Sequence, residues 1–422
     1  MTGRGMAVAV VGAGWAGLAA AVRAAEAGHH VTLFEMAAEP GGRARTVVRD
    51  GLALDNGQHI LIGAYVRTLA LMQTCGVDLS SALHRMPLTL RYPDGRGLQM
   101  PAGPALPAFA RAVMACVGWT GLDRLKLLGA ASGWALRGFR CDPTLTVDAL
   151  CRHLPPRVRE LLIDPLCVAA LNTPARDASA QVLLRVLRDA LFSGRGSADL
   201  LLPRRPLGEL LPAPARHWLT QAGADLRWHQ RVQALAFEQG HWHLDGEVFD
   251  HVVLACSAAE AARLSAVSAP AWSARAAALH YEPIVTVYLR CDGARLAAPM
   301  MALVEGPRQP AQFAFDHGAM GGTPGLFALV VSGARPWVEQ GLEVTAAAAQ
   351  KQVSEWLPGA RIQQVLAEKR ATFRCTPGLD RPPAFIAPGL VAAGDYVKGP
   401  YPATLEGAVR AGEAAAGLIH NG

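Results

Sequence analysis

One stretch near the N-terminus limits the fold more than anything else in this chain. Met6-Ala7-Val8-Ala9-Val10-Val11 is a short β-branched run suited to a buried parallel strand. Gly12-Ala13-Gly14-Trp15-Ala16-Gly17, a complete GxGxxG, follows at once. Leu18 to Ala27 read as an alanine-rich helix ended by Gly28, and His30 to Phe34 as a second strand closed by Glu35. Each part has a task. Gly12 permits the tight turn, Gly14 lets backbone approach a pyrophosphate, and Gly17 lets helix and strand pack closely. The helix start offers free N–H groups and the positive end of its dipole to phosphate charge. Glu35 stands where a carboxylate accepts both ribose hydroxyls, which disfavours a 2′-phosphorylated cofactor. A phosphate-free βαβ turn is the plainer reading of a lone GxGxxG. Here strand, loop, helix, second strand and acid all occur in register, so dinucleotide binding is expected.

At 422 residues the chain exceeds what one core usually supports, so two domains or one large α/β body are expected. Disorder is excluded by 51% hydrophobic and only 18% charged residues. No apolar run reaches the length of a membrane span. The net charge of +6 comes from arginines scattered along the chain, without the lysine blocks and interleaved aromatics of a nucleic-acid binder. Such a balance still permits contact with an anionic lipid surface. The eight cysteines form no CxxC pair and no zinc-like spacing, so buried free thiols and no metal site are expected. The first apolar run leads into the glycine loop instead of a cleavage site. A cytoplasmic placement follows, with peripheral contact at the inner face of the membrane compatible with it.

Three further segments narrow the cofactor. Pro40-Gly41-Gly42-Arg43-Ala44-Arg45-Thr46 follows Glu35 after a short linker. Its glycines allow a second backbone approach, and Arg43 can reach phosphate or ribityl oxygens. Gly208 to Leu219, Gly223 to Val232, Trp242 to Leu244 and Phe249 to Ala255 read as helix, strand, hairpin and buried strand. Gly389-Leu390-Val391-Ala392-Ala393-Gly394-Asp395-Tyr396 reads as another buried strand. After it, Tyr401-Pro402-Ala403-Thr404-Leu405-Glu406-Gly407 opens a small-residue helix running to Ile419.

Together these segments resemble the flavin-dependent amine oxidase and phytoene desaturase superfamily. The resemblance implies an α/β fold: a Rossmann-like FAD-binding domain of the GR2 type with a mixed-sheet and helical substrate domain. It implies FAD, contacted by Gly12, Gly14, Trp15, Ala16, Gly17, Glu35, Gly41, Gly42, Arg43 and Ala44, and with no Cys or His in a recognisable attachment motif noncovalent binding is expected. The backbone at Val232 would meet adenine, and Gly394 and Asp395 the ribityl or pyrophosphate region. Ala403, Thr404 and Leu405 would set a helix start beside the flavin, where its dipole favours the reduced, negatively charged ring. The cofactor domain would then be discontinuous, from residues 1–75, 203–260 and 376–422. Residues 76–202 and 261–375 would form the substrate domain.

That remainder is patterned but less specific. Ala108 to Trp119, Leu122 to Trp134 and Ser179 to Phe192 read as helices. Ile284 to Leu289 and Leu326 to Val331 read as strands, and Thr345 to Trp356 as an amphipathic helix. A mixed sheet covered by helices is predicted, its open face toward the flavin. The region from Ala108 to Leu136 is apolar, with Arg111, Arg124, Lys126 and Arg137 beside Trp119 and Trp134. It suits a membrane interface, although a buried helical pair is the favoured reading.

The most specific segment is Leu52-Ala53-Leu54-Asp55-Asn56-Gly57-Gln58-His59-Ile60-Leu61-Ile62-Gly63-Ala64-Tyr65. Its DNGQH-x-L-x-G-x-Y form, with the terminal GDY and YPATLEGAVRAG, resembles the hydroxysqualene dehydroxylases. That resemblance puts Gly57, Gln58 and His59 beside the flavin. It implies conversion of hydroxysqualene, a C30 allylic alcohol of bacterial squalene and hopanoid synthesis, into squalene. Protonation of the hydroxyl would release water, and hydride from reduced flavin N5 would quench the allylic cation. A separate, unidentified reductant must then recharge the flavin. His59, Asp55 and Tyr401 are the candidate proton donors. The alternative role of Asp55 is to fix the turn before Gly57, that of His59 is to hydrogen-bond flavin or backbone, and Glu406 reads as a partner of the helix dipole. Two rival readings remain: an isoprenoid or carotenoid desaturase or oxidase running hydride the other way, and a prenyl-lipid carrier of the same fold.

Overall fold

The computed structural model describes residues 5–419. Ala7–Val11 lies at the centre of a six-stranded sheet, flanked in parallel by His30–Phe34 and His251–Leu254. Asp225–Arg227 extends the sheet on one side. Leu390–Ala392 extends it on the other, and Phe385–Ala387 closes that edge antiparallel. Alternate residues of these strands point to opposite faces. Val8, Val10, Val31, Leu33 and Val253 pack with the helices Trp15–Glu26, Pro212–Gln221 and Leu405–Ile419. Ala9, Val11, Phe34, Val252 and Leu254 pack toward Trp242, Leu244 and Phe249 of a three-stranded antiparallel unit. Both faces are covered, which is why the strands read as continuous apolar runs.

A second, antiparallel sheet has the order Met300–Ala302, Phe313–Asp316, Leu326–Val331, Tyr281–Arg290, Arg361–Phe373. Side chains alternate between its faces along Ile284–Leu289, Phe313–Phe315 and Leu326–Val331, while the pairing with Arg361–Phe373 is broken by register shifts. Val285, Val287, Leu289, Phe327, Leu329 and Val331 form one core with Ala346 and Ala349 of the helix Leu342–Gln352. Ile284, Thr286, Phe313, Phe315, Val330 and Leu366 face the other way, toward the parallel sheet's loops.

A helical layer completes the molecule. It holds Ala105–Ala115, Gly121–Leu136, Ala180–Phe192 and a continuous helical run over 156–171 with a π-turn at Arg159–Ile163. Beyond it, Leu200–Pro203 pairs with both Leu61–Ile62 and Leu83–Met86 and so returns the chain to the cofactor side.

Some boundaries differ from the sequence expectation, for local reasons. The stretch from Phe249 to Ala255 breaks at Asp250, whose carboxylate accepts from the Ala7 N–H while its own N–H donates to the Ala7 carbonyl. The helix expected from Gly208 to Leu219 divides at Leu211, because Pro212 restricts the residue before it. The helical pair over 105–136 is not buried all round. Trp119 and Trp134 are buried, but Leu122, Leu125 and Leu136 face outward. All eight cysteines are free thiols.

Candidate functional site

The loops at the carboxyl ends of Ala7–Val11, His30–Phe34, His251–Leu254 and Leu390–Ala392 face the inner side of the antiparallel sheet across a cavity of about 770 Å³. Ligands of open α/β sheets bind at this end of the strands. Distant parts of the chain are tied together here. The Gly41 N–H donates to the Ala13 carbonyl at 2.8 Å, joining the two glycine segments. The Arg43 guanidinium meets the Asp395 carboxylate at 2.5 Å and donates to the Ala371 carbonyl at 2.7 Å. Asn56 donates both to the Arg43 carbonyl and to the Glu368 carboxylate. Residues near 43, 56, 370 and 395 therefore form one wall.

The glycine loop separates packing from ligand demands. At Gly17 an added Cβ would lie 1.8 Å from the Gly12 carbonyl oxygen, so helix and strand packing excludes any side chain. Gly14 is different. Its φ of −71° suits any residue, and an added Cβ would meet nothing closer than Gly42 Cα at 3.9 Å. Neither backbone conformation nor protein packing asks for glycine there. The side chain it lacks would project into space that a pyrophosphate needs. Gly14 also stands at the start of Trp15–Glu26, a helix with no side-chain cap and no acid in its first turn. Its leading N–H groups are thus left for an anionic ligand. The Glu35 carboxylate accepts from the Ala13 and Ala37 N–H groups, which fixes it at the cleft edge. These residues fit FAD.

Electrostatics at the opposite end follow from burial and pairing. Burial acts against the Arg43 charge, but contact with Asp395 outweighs it and holds the pKa above the ordinary arginine value. The Arg43 side chain keeps 37% of its surface accessible from the cavity, so its charge is available there. Burial, with Arg43 adding to it, holds His59 below the usual histidine range, although the Gly57 carbonyl partly offsets this. His59 Nδ1 lies 2.8 Å from that carbonyl. A carbonyl only accepts, so Nδ1 carries the proton and Nε2 is the atom that gains or loses one. Burial pushes the Cys256 thiol up to about 12 and the Tyr281 phenol up to about 12. Both therefore stay protonated.

Of the residues singled out in the sequence, Gly12, Gly14, Trp15, Ala16, Glu35, Gly41, Gly42, Arg43, Ala44, Gly57, Gln58, His59, Val232, Gly394, Asp395, Ala403, Thr404 and Leu405 line the cavity. Gly17 lies behind the loop, in the helix–strand contact. Asp55 and Tyr401 stand outside the lining. Asp55 Oδ1 accepts from the Leu207 N–H and the Thr46 hydroxyl, and burial pushes its carboxyl up to about 6. The Tyr401 hydroxyl accepts from Arg185, and its ring lies under the guanidinium groups of Arg185 and Arg410. Thr404 caps the last helix by accepting from the Gly407 N–H, while Glu406 is buried and accepts from Thr68 and Arg410. Sequence reasoning missed Asn56, Tyr281, Thr286, Glu368 and Tyr396 as lining residues. Period-2 alternation could have grouped Thr286 with Ile284 and Glu368 with Leu366, but the register shift between Glu282 and Ile284 takes Tyr281 out of that period; Tyr396 directly follows the predicted Asp395.

Residues 15–420 match the family model described as flavin containing amine oxidoreductase. The chain is 26% identical to a hydroxysqualene dehydroxylase of Zymomonas mobilis, covering 97% of this chain and 98% of that one. It is 28% identical to the enzyme of the same name from Rhodopseudomonas palustris, covering 98% of each. In fold it resembles an oxidoreductase from Methanosarcina mazei, with a TM-score of 0.73 at 17% identity over 96% of this chain and 99% of the other. With the flavin family matched over nearly its whole length and an FAD cradle at its strand ends, the chain belongs to the flavin containing amine oxidoreductases and is an FAD-dependent oxidoreductase.

Proposed function

We propose that this chain reductively dehydroxylates hydroxysqualene to squalene, a step of bacterial squalene and hopanoid synthesis. One observation carries the reading: relatives named hydroxysqualene dehydroxylase align with it from end to end. The cleft is chemically suited to the task, since a polar cofactor wall faces Ile284, Phe313, Phe315, Val330 and Leu366. A long hydrocarbon fits such a wall, and the wall keeps water from capturing a cation. Bound reduced FAD supplies the hydride that replaces the hydroxyl group, so that one proton, one hydride and the alcohol give squalene and water.

The chain's residues do the rest. The Gly14 loop and the start of Trp15–Glu26 hold the pyrophosphate, Glu35 the ribose, and Arg43 with Asp395 the middle of the cofactor. Backbone near Val232 would hold adenine, and the Thr404-capped helix start would hold the ring. The cofactor is held without a covalent bond, as no Cys or His stands in a recognisable flavin-attachment motif. His59 Nε2 passes the proton to the departing hydroxyl, while Nδ1–H on the Gly57 carbonyl fixes the ring. Asp55 and Tyr401 support the site from behind, through Leu207 and Arg185. A separate reductant recharges the flavin. The protein works in the cytoplasm, at the inner face of the membrane that stores its substrate; no described helix is long and apolar enough to cross a membrane.

The test is anaerobic product analysis. Photoreduced enzyme with hydroxysqualene should yield squalene and reoxidised flavin. Oxidised enzyme that dehydrogenates a polyene, with no squalene from the reduced form, would assign the chain to the desaturases. A colourless protein that binds isoprenoids and cannot take up FAD would be a carrier.

A further inference from the structure

The helical layer carries a surface that catalysis does not use. On Gly121–Leu136 one face, with Asp123, Leu127, Ala130 and Trp134, is buried. The opposite face presents Leu122, Leu125, Lys126, Gly129, Ser132 and Leu136. Leu125 is 69% exposed and Leu136 is 90% exposed, values unusual for leucine on a folded helix. The neighbouring helix Ala105–Ala115 turns Leu106, Arg111 and Met114 outward, and Val117 follows it.

Charge says what covers this face. From residue 95 to 141 the single acid is Asp123, and it is engaged in the capping box with Thr120. The same stretch holds six basic residues. Directly after Leu136, a hollow is lined by Arg137, Arg140 and Arg188, with Phe139 and Phe192 packed edge to face at 5.2 Å. Among the described residues, no ion pair involves Arg111, Lys126, Arg137, Arg140 or Arg188. A second protein surface would need matching acids at fixed places. A bilayer meets these demands generically, taking leucines among acyl chains and arginines among phosphates.

We propose that the outward face of 105–140, with Arg188 and Phe192, docks on an anionic lipid bilayer. The inference specifies the membrane contact in the proposed function by naming the residues and the headgroup charge. The face belongs to the layer that walls the cleft. Ala105–Ala115 packs on Ala180–Phe192, and that helix packs on Asp164–Leu171, whose Val168, Ala169 and Ala170 line the cavity. A water-insoluble substrate and its enzyme thus meet at one boundary.

The test is vesicle flotation of FAD-loaded protein, read by flavin absorbance. It should float with phosphatidylglycerol vesicles, stay behind with phosphatidylcholine alone, and lose binding as salt rises. Each basic residue near the surface adds about fivefold in partitioning. The triple variant Arg137→Gln, Arg140→Gln, Arg188→Gln should therefore bind on the order of a hundredfold more weakly. Leu122→Ser with Leu125→Ser and Leu136→Ser should weaken binding at least tenfold. Both variants should keep FAD and turn over detergent-solubilised substrate normally. Wild-type protein that stays behind with anionic vesicles, or variants that float like wild type, would overturn the proposal. So would a stable dimer that the leucine variant splits, since a second copy would then cover the face. Flotation does not depend on the reaction, so vesicle binding without squalene formation would overturn the proposed activity and leave the docking surface standing.

Discussion

The cofactor side of the cleft is built mainly from backbone, whereas the sheet side is built from side chains. At Gly12, Gly14, Gly41 and Gly42 the main chain itself forms the surface, and inter-segment bonds such as Gly41 N–H to Ala13 O set its shape. Across the cavity, Ile284, Phe313, Phe315, Val330 and Leu366 project from strands whose register sets their spacing. A backbone surface recognises a constant group such as pyrophosphate and tolerates almost no substitution. A side-chain surface can be recut without disturbing the sheet that carries it. The cofactor wall should therefore respond to mutation in an all-or-none way, and the sheet wall in a graded one.

The sharpest way to break this contrast uses two neighbouring glycines. Gly17→Val should fail to fold, because its Cβ would lie 1.8 Å from a carbonyl oxygen. Gly14→Val should fold, as shown by circular dichroism and a cooperative melt, yet retain no flavin absorbance. A Gly14→Val protein with full FAD would mean the loop does not cradle phosphate.

His59 comes next, on the cofactor wall but acting through its side chain. His59→Ala should keep FAD and lose about 10²–10⁴-fold in dehydroxylation. As the proposed acid, His59 would first have to hold the proton at Nε2, and burial keeps that affinity below the usual histidine range. Wild-type turnover should therefore rise as pH falls from 8 through 6, and the alanine variant should lose that dependence. Equal pH profiles would remove His59 as the acid.

Asp55 tests a residue that belongs to neither wall. Its carboxyl is pushed up to about 6 from an ordinary 3.8, chiefly by burial. The folded state thus holds the proton more tightly than the unfolded one. That stability is fully present below about pH 4 and is lost as pH rises through about 6, a difference of roughly 2–3 kcal/mol. Both hydrogen bonds arrive at Oδ1, so asparagine can keep them without the buried charge. Asp55→Asn should melt higher than wild type at pH 7.5, with the gap closing toward pH 4, and should still turn over. Loss of activity in a well-folded variant would return Asp55 to the catalytic group.

The two walls also differ in how far the sequence exposes them. Gly12, Gly14 and Gly17 are set by local geometry, so their spacing alone announces a phosphate loop. The pairing of Arg43 with Asp395 has no local signature, and the family resemblance brought each to the cofactor without pairing them. On the sheet, alternation groups Ile284 with Thr286 and Val285 with Val287, but both faces are covered, one by the helix Leu342–Gln352. Hydropathy cannot then say which face meets the ligand. Leu122, Leu125 and Leu136 misled for the related reason that a helix apolar on every side reads as buried.

The smallest expected effect sharpens the sheet side of the comparison. Thr286 is 1% exposed, and its hydroxyl oxygen has no hydrogen-bond partner. A buried hydroxyl left unpaired costs about 1–3 kcal/mol, whereas valine fills the same shape without it. Thr286→Val should therefore gain about 1 kcal/mol in urea unfolding and keep FAD. The mirror change one residue on, Val287→Thr, buries a hydroxyl among the aliphatic side chains of the helix-covered face and should lose a similar amount. Thr286 lines the cavity, and an alcohol that reached its hydroxyl would supply the missing partner. The variant should then show a severalfold higher KM for the alcohol with kcat little changed. Unaltered KM would mean that this wall selects by shape alone, and a less stable Thr286→Val would mean that the hydroxyl was already satisfied.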